Sequence, residues 1–167
     1  MLLELKKIFL NENESLSVHT EPDMTDCNFG EIGENSFSDK VSADITITNH
    51  AGLVELDALV RFNYRFRCDR CYDPFNRDFA FKFHHILVTS PAEDNSDDYI
   101  EAPDYTLDTD ILLRDDILLE LPSKLLCKDS CKGLCPKCGK NLNNGNCACS
   151  LREVDPRFAA LNKLLEE

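Results

Sequence analysis

Six cysteines fall within the 23 residues CKDSCKGLCPKCGKNLNNGNCAC, at Cys127, Cys131, Cys135, Cys138, Cys147 and Cys149. A CDRC tetrad with Cys68 and Cys71 precedes them. Cysteine is often a buried residue type, but six of them beside Lys, Asp and Asn do not make a core. Thiols at knuckle spacing point instead to a metal, and zinc takes four soft ligands at tetrahedral corners. A CxxC turn supplies two such ligands at once, because its backbone NH groups face the sulfurs and favour thiolate. In CPKCG, Pro136 stiffens the turn and Gly139 permits a left-handed exit.

A disulfide framework would need an oxidising compartment. The opening MLLELKKIFLNENES has no long apolar run behind Lys6-Lys7 and is expected not to be a secretion signal. No stretch approaches the length of a membrane-spanning helix. The expected setting is the reducing cytoplasm, or an organelle matrix.

Setting aside isolated Cys27, which reads as core or surface, eight thiols remain, enough for two tetrahedral sites. The simplest grouping joins Cys135, Cys138, Cys147 and Cys149 locally, and Cys68 and Cys71 with Cys127 and Cys131 over a long range. The alternative is a single zinc on Cys68, Cys71, Cys135 and Cys138. All-thiolate sites are closed and structural, whereas a catalytic zinc keeps an open position. The chain has no nucleophile elbow, P-loop or dinucleotide fingerprint. Redox chemistry at Cys68-Cys71 would normally sit at a strand-to-helix junction, and here the motif joins two strands. His19, His50, His84 and His85 are scattered, and the adjacent pair should point to opposite faces of a strand. Asp97-Asp98 and Asp115-Asp116 read as solvated surface, the second pair on an exposed helix face. The expectation is a protein that is not an enzyme.

The secondary-structure signals frame these motifs. Val41, Ala43, Ile45 and Ile47 alternate with polar residues, and Asn49-His50-Ala51-Gly52 signals a turn. Val54, Leu56, Ala58, Val60, Phe62, Tyr64, Phe66 and Cys68 then occupy one strand face, with Arg61, Arg65 and Arg67 on the other. Phe79, Phe81 and Phe83 mark the return strand, so residues 41–89 form an antiparallel meander whose second turn is CDRC. Residues 11–40 read as short strands and loops, and 90–106 as an acidic loop or linker. Asp108-Thr109-Asp110 caps a helix stopped by Pro122, with Leu107, Ile111, Leu118 and Leu121 on one side. Asp155-Pro156 opens a short helix carrying Phe158, Leu161 and Leu164. The fold class is α+β: an antiparallel meander or partly barrel-like sheet, a helix, and a C-terminal cysteine-rich zinc module. The expected division is residues 1–106, the β domain with its CxxC hairpin and acidic linker, and residues 107–167, the helix and zinc module.

Net charge is −13, with a pI near 4.7. Taken alone, that argues against nucleic acid. The distribution is uneven: residues 61–82 and 121–149 hold 11 of the 18 basic residues against four acids, a balance of +7 that leaves −20 elsewhere. The basic segments are also the cysteine-bearing ones. Arg61, Arg65, Arg67 and Arg70, with Lys132, Lys137 and Lys140, are therefore candidates for phosphate contact. The alternative is that these charges merely balance thiolates.

RCDRCYDPF, EAPDYTLDTDILLRDDILLELP, the LCKDSCKGLCPKCGKNLN segment and the DPRFAAL tail occur in that order. Together they resemble the YceD family, with a cysteine-rich segment like that of members from Gram-positive bacteria. The resemblance covers residues from about 40 to the end. It implies a role in accumulation of large-subunit ribosomal RNA, in a bacterial or plastid setting close to ribosome assembly. Such members are often encoded beside a small zinc-binding ribosomal protein. Two functions are expected to compete. One is a zinc-bearing assembly factor that touches ribosomal RNA or a precursor particle. The other is an acidic chaperone or adaptor for a basic ribosomal protein, using the acidic loop from Glu93 to Asp104.

Overall fold

The computed structural model describes residues 1–24, 36–37, 40–90 and 99–149. Cys27, Asp97-Asp98, the first part of the acidic loop and the helix expected after Asp155-Pro156 lie outside them. Two compact units form, one from Met1–Arg67 with Pro74–Leu125, the other from Cys68–Asp73 with the chain from Leu126 onward. This grouping differs from a division at residue 106. The helix after Asp108 falls with the sheet, and the CxxC tetrad falls with the later cysteines.

In the first unit, β1 (Leu2–Glu4), α1 (Lys6–Leu10), β2 (Ser15–Thr20), β3 (Ser36–Phe37), β4 (Ser42–His50), β5 (Leu53–Arg67), β6 (Pro74–Val88), β7 (Tyr99–Glu101), β8 (Thr106–Asp108) and α2 (Thr109–Glu120) follow in order. The main sheet runs β2-β4-β5-β6-β7, with β3 added on β5, and curls like half a barrel. Among the described residues its end strands do not pair with each other. The meander expected over 41–89 is the antiparallel set β4-β5-β6.

Alternation explains the layering. Val54, Leu56, Ala58, Val60, Phe62, Tyr64 and Phe66 are all buried, and Val41, Ala43, Ile45 and Ile47 extend the same face across β4. Facing residues on β6 include Phe79, Phe81 and Phe83, which pack against this core. Phe62 stacks on Phe79 at a centroid distance of 5.4 Å and meets Phe81 edge-on at 5.6 Å.

Four expectations are corrected here. Residues 99–106 are not linker. Tyr99–Glu101 pair in parallel with Ile86–Val88, Ala102 is fully buried, and Thr106 begins a strand on β1. The turn after β4 is tighter than expected, with strand pairing continuing to His50 opposite Leu53. Helix α2 presents Thr109, Leu113 and Ile117 inward, while Ile111 and Leu118 are exposed. Its apolar residues come in runs, Ile111 to Leu113 and Ile117 to Leu119, so helical spacing alone does not select a face. Asp116 is not solvated surface. It is 11% exposed against 60% for Asp115, and lies 2.8 Å from His85 Nε2. Burial raises its pKa, although His85 opposes the shift. The expected N-cap is present, with Asp108 accepting from the Asp110 amide at 3.0 Å. No helix among the described residues is long and apolar enough to cross a membrane.

Asn49, read in the sequence only as turn signal, is 1% exposed. Its Nδ2 donates to the Ile8 carbonyl at 2.7 Å and its Oδ1 accepts from the Gly52 amide at 2.9 Å, tying α1 to the β4–β5 turn. Asn49→Ala strands a buried carbonyl and is expected to cost about 1–3 kcal/mol. Urea denaturation should show this as a lower midpoint with unchanged slope.

Candidate metal centre

The second unit brings the eight later sulfurs into two quartets, Cys68, Cys71, Cys127 and Cys131, and Cys135, Cys138, Cys147 and Cys149. Within each, the sulfurs lie within 4.8 Å of one another. These are the two groups that spacing favours. The alternative set of Cys68, Cys71, Cys135 and Cys138 is divided between them.

The first quartet grows from the connection between β5 and β6. The Cys68 amide donates to the Asp73 carbonyl at 3.0 Å and the Tyr72 amide to the Cys68 carbonyl at 2.8 Å, closing the tetrad into a turn. Cys68, Cys71 and Cys131 are buried together, with Leu126 and Cys127 against them. Cys68 and Cys131 sulfurs are 3.8 Å apart, as are those of Cys71 and Cys127. Metal–sulfur bonds of about 2.3 Å set tetrahedral sulfurs about 3.8 Å apart, whereas a disulfide needs about 2.05 Å. The quartet therefore has the dimensions of a tetrathiolate metal site.

A small hairpin carries the second quartet. Leu134 bridges Asn141, the Cys135 amide donates to the Lys140 carbonyl at 2.9 Å, and the Gly139 amide to the Cys135 carbonyl at 2.8 Å. Gly139 has φ +73°, the left-handed exit expected of CPKCG. This quartet is more open: Cys135 is buried but Cys138 is exposed.

Electrostatics in both quartets favours a cation. Burial opposes a Cys68 thiolate, yet the amides of Cys127, Cys71 and Arg70 outweigh it and bring the thiol down to about 6. Burial, reinforced by neighbouring sulfurs, pushes Cys71 up to about 12. The amides of Cys138 and Lys137 bring Cys135 down to about 6, while Cys138 and then burial push Cys149 up to about 12. Each quartet thus pairs a thiol readied for charge with one that burial and its neighbouring sulfurs keep protonated. A bound cation removes that conflict. The Asn143 amide is the largest influence lowering Cys131.

The basic candidates divide between the units. Arg61, Arg65 and Arg67 lie on the outer face of β5, opposite the aromatic row. Arg61 pairs with Asp44 at 2.9 Å. In the second unit, the Arg70 guanidinium donates to the carbonyls of Asp129 and Cys131 at 3.2 and 2.9 Å, so it braces the first quartet. Lys140 donates to the Asn146 carbonyl at 3.0 Å, and Lys132 and Lys137 are exposed. The bracing residues Asn141 and Asn143 were not singled out by sequence, because NLNNGN reads as turn composition.

Gly133 separates the two quartets along the chain and has φ +74°. A Cβ there would sit 3.0 Å from the Arg70 carbonyl oxygen, while one at Gly139 meets nothing within 4 Å. Gly139→Ala should carry only the left-handed backbone cost of about 1–2 kcal/mol. Gly133→Ala should cost more and strip hydrogen-exchange protection from the Leu134 and Leu142 amides.

Comparison with known proteins follows the same residues. The model of the large ribosomal RNA subunit accumulation protein YceD matches residues 56–165. Among similar proteins are the chloroplastic large ribosomal RNA subunit accumulation protein YCED homolog 1 of Arabidopsis thaliana, 26% identical over 76% of this chain and 49% of that protein, and its Zea mays counterpart, 27% identical over 68% and 50%. The chain thus spans about half the length of these two plant relatives. The Bacillus subtilis protein YlbN is 34% identical over 78% of this chain and 69% of its own length. No solved structure matches. The family match begins inside β5 and takes in both cysteine quartets, and on that extent this chain belongs to the YceD family.

Proposed function

We propose that the protein is a non-enzymatic, zinc-binding factor that acts in the cytoplasm. It supports accumulation of large-subunit ribosomal RNA by binding that RNA or the precursor particle that contains it. The arginine row on the outer face of β5 carries this reading. Alternation projects Arg61, Arg65 and Arg67 to one side, with Arg65 and Arg67 about 7 Å apart along the strand. Their paired neighbours on β6 are Ala80, Asn76 and Pro74, none of them acidic, and exposed Lys82 lies opposite Leu59 on the same face. Of the nearby acids, Asp44 pairs with Arg61 at 2.9 Å and Asp78 is held by Asn63 at 2.7 Å. Phosphate contact needs such a cluster, and the large-subunit RNA in the names of the plant relatives supplies phosphates.

Zinc suits the quartets because four thiolates at tetrahedral spacing fit an ion with no preference for another geometry. Four protein ligands leave no position for substrate or water, which supports a structural use. Exposed Lys132 and Lys137 then contribute positive charge in the second unit.

The far end of the same outer face favours a second reading. Glu55 and Asp57 are there, and the whole chain carries −13. An acidic adaptor for a basic ribosomal protein would use that end.

Protein purified without added metal should contain about two zinc ions per chain by elemental analysis, one per quartet. Cys68→Ser should lower the content by one and leave the sheet folded by circular dichroism. Zinc content near zero in the unaltered protein would remove the metal from the proposal.

Changing Arg61, Arg65 and Arg67 together to Glu leaves the buried face of β5 intact. Co-sedimentation with large-subunit precursors should weaken across a salt series. The log–log slope should flatten by roughly 0.7–0.9 per lost phosphate contact. Undiminished association would reject the RNA-facing surface. Binding to purified basic ribosomal proteins that survives this change but fails on Glu55 and Asp57 substitution would select the adaptor.

A further inference from the structure

The two quartets are tied by more than chain continuity. Between Cys138 and Cys147 the chain loops out through Asn141 and Asn143. Asn143 Nδ2 donates to the Cys131 sulfur at 3.2 Å, and its Oδ1 accepts from the Lys132 amide at 3.0 Å. Asn141 fixes it in place, its Oδ1 accepting from the Asn143 backbone and side chain, each at 2.9 Å. Asn141 Nδ2 in turn reaches Asp73 Oδ2 at 2.6 Å, two residues past Cys71. A third tie runs from the Leu134 amide to the Arg70 carbonyl at 3.1 Å. A loop whose ends belong to one quartet therefore places its middle on the sulfur and flanks of the other.

We propose that the quartets bind metal cooperatively, and that Asn143 is the positioning residue that couples them. The proposal rests on the reading that both quartets take zinc. Filling Cys135, Cys138, Cys147 and Cys149 pins both ends of the loop, which lowers the entropy lost in holding Asn143 against Cys131. An N–H donor on a metal-bound sulfur offsets its charge and slows loss of the ion, as other outer contacts do at metal sites. The coupling is reciprocal by linkage: metal in the buried quartet must tighten the exposed one by the same factor. The two quartets are unequal partners. Cys68, Cys71 and Cys131 are buried, whereas Cys138 is exposed, so a competing chelator reaches the second quartet first.

Cadmium-113 loaded onto the full chain should give two resonances, one per quartet. Cys127→Ser with Cys131→Ser, and Cys147→Ser with Cys149→Ser, assign them. Asn143→Asp keeps the acceptor for the Lys132 amide and removes the donor that serves both the Cys131 sulfur and Asn141 Oδ1. It should shift the buried-quartet resonance and speed metal release from that quartet by about tenfold, with two metals still bound. Emptying the exposed quartet with the Cys147→Ser, Cys149→Ser pair should produce the same acceleration. Combining it with Asn143→Asp should add nothing further, as a double-mutant cycle requires of a shared contact. Unchanged release in Asn143→Asp, or effects that multiply in the combination, would overturn the coupling while two bound metals kept the metal reading. A chain that takes up no metal would sink both. Should the double serine variant fail to fold, a chelator empties the exposed quartet of the unaltered chain instead: release from the buried quartet should then accelerate, and in Asn143→Asp it should not accelerate further.

Discussion

One register governs the first unit. Val54 to Arg67 pair antiparallel with Leu87 to Pro74, residue for residue, without a bulge. Because strand side chains alternate, that pairing assigns every residue to a face. The aromatic row goes inward, and Arg61, Arg65 and Arg67 go outward. A slip of one position would bury the arginines and expose Phe62, Tyr64 and Phe66. Burial of those three rings, each 4% exposed or less, opposes the slip by several kcal/mol at about 1.5–3 kcal/mol per large apolar side chain. The apolar core and the charged surface are thus two faces of one constraint.

What the sequence disclosed follows how local each determinant is. The alternation of β4 and β5 was legible because every position repeats the message. The Asp108 cap was legible because a side chain and an amide two residues apart suffice. Strand β7 was not, since its three residues sit in an acidic stretch and gain their place only from pairing with Ile86 to Val88. The β1–β8 pair is equally short and joins residues about a hundred positions apart. The inward face of α2 was misjudged because packing, and not periodicity, chose Leu113 and Ile117 over Ile111 and Leu118.

For the cysteines the grouping was legible from count and spacing: eight thiols, a CxxC at each of two places, and short gaps between the rest. Their supporting contacts were not. Arg70 stood out for its charge, and its hold on two carbonyls was not foreseen. Asn143 sits in a short turn, as its composition suggests, and also reaches a sulfur, which composition does not show. Nothing in composition marks an arginine that braces a loop, because the carbonyls it finds carry no sequence signature.

Discontinuity of the second unit sets an order on events at the ribosome that makes this chain. Cys68 and Cys71 emerge early, but their partners are far downstream, with 56 positions separating Cys71 from Cys127. At synthesis rates of 5–20 residues per second that interval is roughly 3 to 11 seconds. Meanwhile β6 can pair with β5 in microseconds, presenting the CDRC turn on a finished hairpin. The nascent protein therefore passes through a stage in which two thiols await the rest of their quartet, open to any competing ion or oxidant in the cell.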